Sequence, residues 1–255
     1  MSMNMRVDLE GRRVLVTGAS SGIGAAVCRS ITSCGGSVAM LARRKERLEE
    51  LRAELGTRAV AVPADVTDLE GLESAIDDAA RSLGGLDGVV AVAGKSMVGT
   101  IITGTPQRWR ELVDLNLIGP LATVRHVVSH FPATGRRDVV LVASTGAITP
   151  KAGVGVYAAS KRGLIAAFDA LRLELSADGV NVSCVMPGMF DTEGLTIEGL
   201  VFDGDVPPDD APWFAPGGGP AKADDLADSI AFMISRPEGF CINELVVRPT
   251  AQLNP

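Results

Sequence analysis

Short apolar runs and longer amphipathic stretches alternate along the chain almost without a break. Val14–Val16, Ser37–Leu41, Arg58–Pro63, Leu86–Ala93, Val139–Ala143 and Val180–Met186 are dominated by β-branched and small apolar residues. Runs of this kind mark strands buried on both faces of a parallel sheet. Leu245–Arg248 reads as a short last strand. The stretches between them carry helical signals: residues from Ile23 onward, a charged amphipathic segment at Arg44–Leu55, and a helix capped by Asp68 that runs to Leu83. Strand and helix in strict alternation predict an α/β domain built on a parallel sheet. No internal repeat and no linker divides the chain, so residues 1–255 read as one domain.

Two further helices carry more than packing. In the segment Thr105–Phe131, Trp109, Leu112, Val113, Leu117, Leu121, Val124 and Val128 fall on one face, and Asn116 falls on the same stripe. A buried amide must find hydrogen-bond partners or cost a few kcal/mol, so Asn116 fixes a helix bend, holds an active-site water, or does both. In the helix from Tyr157 to Ser176, Tyr157, Lys161, Leu164, Ile165, Phe168 and Leu175 share a face, with tyrosine and lysine one turn apart. Ala166, Ala167, Ala170 and Leu173 make the opposite face apolar too, which predicts a subunit contact.

From Gly188 to Ala221 the pattern fails. The run DGDVPPDDAPWFAPGGGP is long for a structureless loop and points either to a lid over a substrate or to disorder. Its large apolar groups, Trp213 and Phe214, suit either closure over a substrate or anchorage of the loop.

Composition narrows the classes. A chain of 255 residues buries a sizeable core. A net charge of −7 with no basic run argues against broad nucleic-acid binding. No apolar stretch reaches membrane-span length, and MSMNMRVDLEG lacks the apolar core of a signal peptide, so a cytoplasmic location is expected. Cys28, Cys34, Cys184 and Cys241 have no metal-ligand spacing and read as small buried hydrophobes. His126 and His130 lie one helical turn apart without HExxH or a third ligand, so no metal site is expected.

The chemistry starts at VLVTGASSGIG, Val14–Gly24. An apolar strand turns through Gly18, Gly22 and Gly24 into a helix, leaving free backbone N–H groups at the positive end of the helix dipole. Taken alone, such a turn is also an ordinary β–α connection. Here it closes the first strand and opens the first helix, where a doubly wound sheet binds its nucleotide. Farther on, Ser144 ends the fifth strand, and Tyr157 and Lys161 follow near the carboxyl edge of the sheet. A tyrosine with a pKa of roughly 10 is a poor acid–base group until a nearby ammonium and an oxidised nicotinamide favour its phenolate. A serine hydroxyl beside the phenol can orient a carbonyl oxygen. The set suits proton transfer coupled to hydride transfer.

TGASSGIG at Thr17–Gly24, Asp65-Val66, Asn116, Ser144, the YxxxK of Tyr157–Lys161 and PGMFDT at Pro187–Thr192 together resemble the short-chain dehydrogenase/reductase family over nearly the whole chain. The resemblance implies a Rossmann-like sheet of seven parallel strands in the order 3-2-1-4-5-6-7. It implies that Tyr157 is the acid–base, that Lys161 bonds the nicotinamide ribose and depresses the tyrosine pKa, that Ser144 holds the substrate oxygen, and that Asn116 orders a relay water. It further implies cofactor contacts along Gly18, Ser20, Ser21, Gly22, Ile23 and Gly24, at Asp65 and Val66, at Ala93 and Gly94, and at Pro187, Gly188 and Thr192. Asp65 would accept from the adenine amine, Ile23 would offer its backbone to the pyrophosphate, and Thr192 would meet the carboxamide. One departure stands out: the family's NNAG is Ala91-Val92-Ala93-Gly94 here, which puts the local bracing of that strand in doubt.

Cofactor choice follows from charge. NAD enzymes place an acid at the end of the second strand; this chain has Ala42 followed by Arg43 and Arg44. Guanidiniums without a carboxylate favour a 2′-phosphate, so NADP(H) is expected. Met97, Val154, Met189 and Phe190, beside Ser144, are expected to line an apolar substrate pocket. Three functions remain: a ketone or aldehyde reductase acting on a small molecule, a 3-oxoacyl-carrier-protein reductase, or an NADP-binding regulator without turnover. The carrier-protein reading needs a basic patch at the mouth, for which Arg125, Arg136, Arg137 and Arg172 are candidates. The family and the two-faced helix suggest a homotetramer or homodimer.

Overall fold

The computed structural model describes residues 7–195, 199–206 and 213–253. Seven parallel strands form the main sheet: β1 Arg13–Thr17, β2 Ser37–Ala42, β3 Ala59–Pro63, β4 Gly88–Ala91, β5 Asp138–Val142, β6 Asn181–Pro187 and β7 Glu244–Val247. Their spatial order is β3-β2-β1-β4-β5-β6-β7, the order that the family resemblance implies. The helices are α1 Gly22–Ser33, α2 Lys45–Leu55, α3 Leu69–Leu83, α4 Pro106–Val113, α5 Gly119–Val128, α6 Gly155–Glu174 and α7 Ala223–Ile234.

Strand pleating explains why the runs are apolar throughout. Val14 and Val16 of β1, and Val38 and Met40 of β2, join α1, α2 and α7 in one core. Leu15, Ala39 and Leu41, one residue out of step, join α3, α5 and α6 in the other. Asp68 caps α3 by accepting from the Gly71 N–H at 3.2 Å, and Gly84 ends it in the left-handed region at φ 73°.

Three elements depart from the sequence-based expectation. β4 is shorter than Leu86–Ala93, because Asp87 is held by arginines and the Val92 and Ala93 N–H groups turn away to the Thr17 hydroxyl at 3.1 and 3.0 Å. That hydroxyl provides the bracing put in doubt by the missing asparagines. The expected single helix Thr105–Phe131 is broken by a π turn, Asp114–Ile118, between α4 and α5. Pro120 has no N–H to give the Asn116 carbonyl, so the α ladder cannot run through this point. The helix α7, not anticipated, packs Leu226, Ala227, Ile230 and Ile234 into the first core.

Candidate active site

The carboxyl ends of the strands open onto a cleft of about 690 Å³. Gly18, Ser20, Ser21, Gly22, Ile23 and Gly24 form one wall, with Arg43, Arg44, Asp65, Val66, Ala93 and Gly94 beside them. Ser144, Tyr157 and Lys161 stand at the other end, with Pro187, Gly188, Phe190 and Thr192. Met97, Val154 and Met189 do not line this cleft; Met97 is buried where it pairs with Val201.

The glycine turn fits a dinucleotide. Helix α1 begins with no side-chain cap at Ser21 and no acidic residue in its first turn, so its leading amides are free for an anion. At Gly24 an added Cβ would stand 2.3 Å from the Gly18 carbonyl oxygen, so only glycine lets the helix start this close to the strand end. At Gly94 a Cβ would lie 2.9 Å from Asn116 Oδ1 and 3.2 Å from Lys161 Nζ, closing the floor of the cleft. Gly24→Ala is expected to weaken cofactor binding at least tenfold and lower the melting temperature, read by NADPH titration and thermal unfolding.

Arg43 and Arg44 differ in their surroundings. Arg43 is exposed and lies 3.6 Å from Asp65 Oδ2. Asp65 also accepts from the Thr67 N–H and hydroxyl; burial acts to raise its pKa, but Thr67 and Arg43 hold the carboxyl below the ordinary range. Arg44 donates to the Ser20 and Ser21 hydroxyls and to Glu193 at 2.9 Å, and this pairing keeps Glu193 below its usual value. The Arg44–Glu193 pair ties the loop after β6 to the glycine turn.

Helix α6 aims Tyr157 and Lys161 into the cleft from successive turns. Lys161 is 4% exposed and its Nζ donates to the Val142 carbonyl at 2.8 Å. Burial lowers its pKa to about 8. Burial also pushes the Tyr157 phenol above its ordinary value, against which hydrogen bonds from Ser144 and Ser96 draw it down. Ser144 Oγ accepts from the Gly146 N–H at 3.1 Å, which fixes the serine at the start of a short 3-10 turn.

Asn116 is fully buried in the π turn behind these residues. Its Oδ1 accepts from the Lys95 N–H at 2.9 Å, and its Nδ2 donates to the Lys95 carbonyl at 2.9 Å and to Ser160 Oγ at 3.2 Å. The amide therefore braces the chain after β4, a partnership between residues 21 apart that no local pattern announces.

The expected lid, 188–221, is partly structured; 196–198 and 207–212 lie outside the described residues. Val201–Phe202 pairs in parallel with Met97–Val98. The buried Asp203 accepts from the Thr105 N–H at 2.8 Å and from Trp109 Nε1 at 3.0 Å, pinning the loop to the start of α4. Trp109, expected on the apolar stripe, thus serves the loop. Lys151 Nζ sits 4.0 Å from the centre of the Trp213 ring, and Phe214 bridges to Gln252. Both aromatic groups anchor the loop in this structure.

Other candidates lie elsewhere. Arg136 and Arg137 are at the opposite, amino edge of the sheet, where Arg136 pairs with Asp138 at 2.8 Å, so they form no patch at the mouth. His130 meets Asp77 of α3 at 2.9 Å and His126 approaches Glu73. All four cysteines are free thiols. No helix among the described residues is long and apolar enough to cross a membrane.

The profile of short chain dehydrogenases matches residues 12–197. Among curated proteins, the glycine betaine reductase ATRR of Emericella nidulans is 34% identical over 94% of this chain, while the chain spans only 19% of that protein's length. Among solved structures, a short chain dehydrogenase from Burkholderia cenocepacia in complex with NADP is 29% identical, with a TM-score of 0.80 over 94% of this chain and 97% of that one. A 3-ketoacyl-(acyl-carrier-protein) reductase from Brucella melitensis complexed with NADH is 26% identical, with a TM-score of 0.82 over 94% and 98%.

Proposed function

The chain belongs to the short-chain dehydrogenase family and is an NAD(P)-dependent oxidoreductase; from this premise we propose that it interconverts a small ketone or aldehyde and its alcohol, using NADP(H), with Tyr157 as acid–base. The reading is carried by one convergence: Ser144, Tyr157 and Lys161 face the same cleft as an uncapped helix start and two arginines. When bound, the reduced nicotinamide supplies the hydride.

The chain's own residues do the rest. Ser144 holds the carbonyl oxygen. Tyr157, a neutral phenol because burial keeps its pKa high, gives that oxygen its proton in reduction and recovers it in oxidation. Lys161, partly neutral without cofactor at its lowered pKa, holds the ribose hydroxyls with the hydrogens not given to Val142. Asn116 keeps the cleft floor in place through Lys95. Thr192 and the amides of the glycine turn hold the dinucleotide.

Arg43 and Arg44 favour the 2′-phosphate. Each charge-assisted hydrogen bond of this kind contributes roughly 1.5–3 kcal/mol. Arg43→Asp should therefore cut the preference for NADPH over NADH by roughly 10–100-fold, read as the ratio of kcat/KM values. An unchanged ratio would refute the assignment.

The carrier-protein substrate is the weaker choice, because Arg136 and Arg137 are committed at the far edge of the sheet. The test is oxidation of NADPH across a panel of apolar ketones and aldehydes. Cofactor binding with no turnover on any of them would favour a regulator instead. We also propose a homotetramer or homodimer, joined through the outer face of α6, where Ala166, Ala170 and Leu173 are exposed. A monomer in light scattering would count against it.

A further inference from the structure

The ion pair between Arg44 and Glu193 joins two residues that line the cleft and lie 149 apart in the chain. Ordered backbone delivers both halves. Arg44 stands just ahead of α2; its Nε donates to Ser20 Oγ at 3.1 Å and its Nη2 to Ser21 Oγ, so the glycine turn fixes the plane of the guanidinium. Glu193 opens a short 3-10 turn, Glu193–Leu195. The chain leading to it is tied in three ways. The Met189 N–H donates to Gln252 Oε1 at 2.8 Å, and Phe190–Asp191 pairs in parallel with Ala221–Lys222. Thr192 packs so closely on the glycine turn that a Cβ added at Gly22 would stand 3.1 Å from Thr192 Cβ. At the end of this path the carboxylate is divided between two guanidiniums. Glu193 Oε2 accepts from Arg44 Nη1 at 2.9 Å, and Oε1 lies 3.9 Å from Arg47 Nη2 of α2. An oxygen toward each arginine is also how a phosphate would engage them.

We propose that Glu193 is a specificity-determining residue: its carboxylate holds Arg44 and Arg47 as an internal stand-in for the 2′-phosphate, and a 2′-phosphorylated dinucleotide binds by displacing it. The proposal rests on the reading that Arg43 and Arg44 receive that phosphate. The exchange is physically easy. Arg44 and Glu193 are each about half exposed, so their pair is hydrated and contributes little. A phosphate brings more charge and three acceptor oxygens to the same guanidiniums. It cannot share them with the carboxylate freely, because like charges at one arginine repel. The backbone ties keep the turn in place, so only the Glu193 side chain has to swing aside. A dinucleotide with a 2′-hydroxyl brings no such charge and leaves the ion pair intact. Glu193 therefore opposes the phosphorylated cofactor and spares the other, holding the preference below what the arginines alone would give.

Calorimetric titration with adenosine 2′,5′-bisphosphate and adenosine 5′-monophosphate reads the effect without turnover, because the probes differ by the 2′-phosphate alone. Glu193→Gln should bind the bisphosphate about two- to fivefold more tightly than the parent, the fold-change that corresponds to one exposed ion pair lost as a competitor. The monophosphate should bind both proteins equally. The preference for NADPH over NADH, taken as the ratio of dissociation constants, should rise by the same factor. Arg44→Gln removes the guanidinium for which the two anions compete, so in that background Glu193→Gln should gain clearly less. A glutamate that merely braced the loop would lower the melting temperature when replaced, weaken both probes alike and act independently of Arg44. A ratio of bisphosphate to monophosphate affinity that stays level or falls in Glu193→Gln overturns the proposal. Equal affinity of the parent for the two probes would overturn the phosphate assignment of Arg43 and Arg44 instead, so the two failures are distinct.

Discussion

Tyr157→Phe is expected to lower kcat for carbonyl reduction by roughly 10²–10⁴-fold, the range that a positioned acid–base group contributes, while NADPH still binds. The substitution removes one oxygen from the cleft. The ring stays in the cleft, and so do the glycine turn, Arg43 and Thr192. Cofactor affinity, read by NADPH fluorescence, should therefore change less than threefold. Lys161→Met makes the useful contrast. Lys161 is buried, donates to the Val142 carbonyl and closes the floor near Gly94, so its loss should weaken cofactor binding as well as turnover. In the parent enzyme the pH profile follows from the same geometry. Burial keeps the phenol protonated at neutral pH, so reduction should be flat there and decline on the alkaline side, as the proton to be donated is lost. Oxidation needs the phenolate and should rise with pH over the same range. A Tyr157→Phe enzyme that reduces ketones at the parent rate would remove the acid–base role altogether.

The parts of this molecule written in local pattern are legible in the sequence. β1 and its glycine turn, the capped α3 and the Tyr157–Lys161 spacing depend on neighbours within a few residues. The strand order is legible too, once the family resemblance is admitted. What escapes depends on partners far apart in sequence. Asn116 stands out as a buried amide in need of partners, but those partners are the backbone groups of Lys95, reached across a π turn, and Gly119-Pro120 is the one local hint of that break. Glu193 has no signature, because an acid in a loop resembles any other until its turn is placed against Arg44. Arg136 reads as a surface cation near the mouth, yet it serves the opposite edge, since an arginine just ahead of a strand says nothing of which carboxylate it will meet. Helix α7 is hidden by its start: Asp224 and Asp225 continue the acidic loop in sequence while forming a favourable first turn in space.

The opposite edge holds the largest expected effect on stability. Asp138 opens β5 and is 4% exposed. It accepts from Arg12 Nη2 at 2.8 Å, from Arg136 Nε and Nη2 at 2.8 and 3.0 Å, and from Asn181 Nδ2 at 3.1 Å. Asp87 takes Arg12 Nε at 2.7 Å. The same guanidiniums also donate to the Ile234 and Met233 carbonyls at 3.0 and 2.9 Å, so the carboxylates hold the arginines that cap the end of α7. Burial works against the Arg12 charge, and Asp138 and Asp87 more than offset it, leaving the guanidinium more basic than usual. Asp138→Ala would leave the half-buried Arg136 guanidinium without its carboxylate, take one of two carboxylates from Arg12, and loosen α7 from the sheet. Removing one partner of a buried ion pair costs about 3–5 kcal/mol, which for a domain of this size corresponds to a fall of roughly 6–20 °C in Tm. Asp138→Asn, which keeps the side-chain shape and one of the two acceptor oxygens but turns the other into a donor and loses the charge, should fall somewhat less. Because the cluster lies at the amino ends of the strands and the cleft at their carboxyl ends, kcat and the NADPH affinity of the folded variant should match the parent well below its new Tm. A loss under about 1 kcal/mol in denaturant unfolding would mean that the arginines find water or other acceptors when Asp138 is gone, and that this buried network does not hold the edge together.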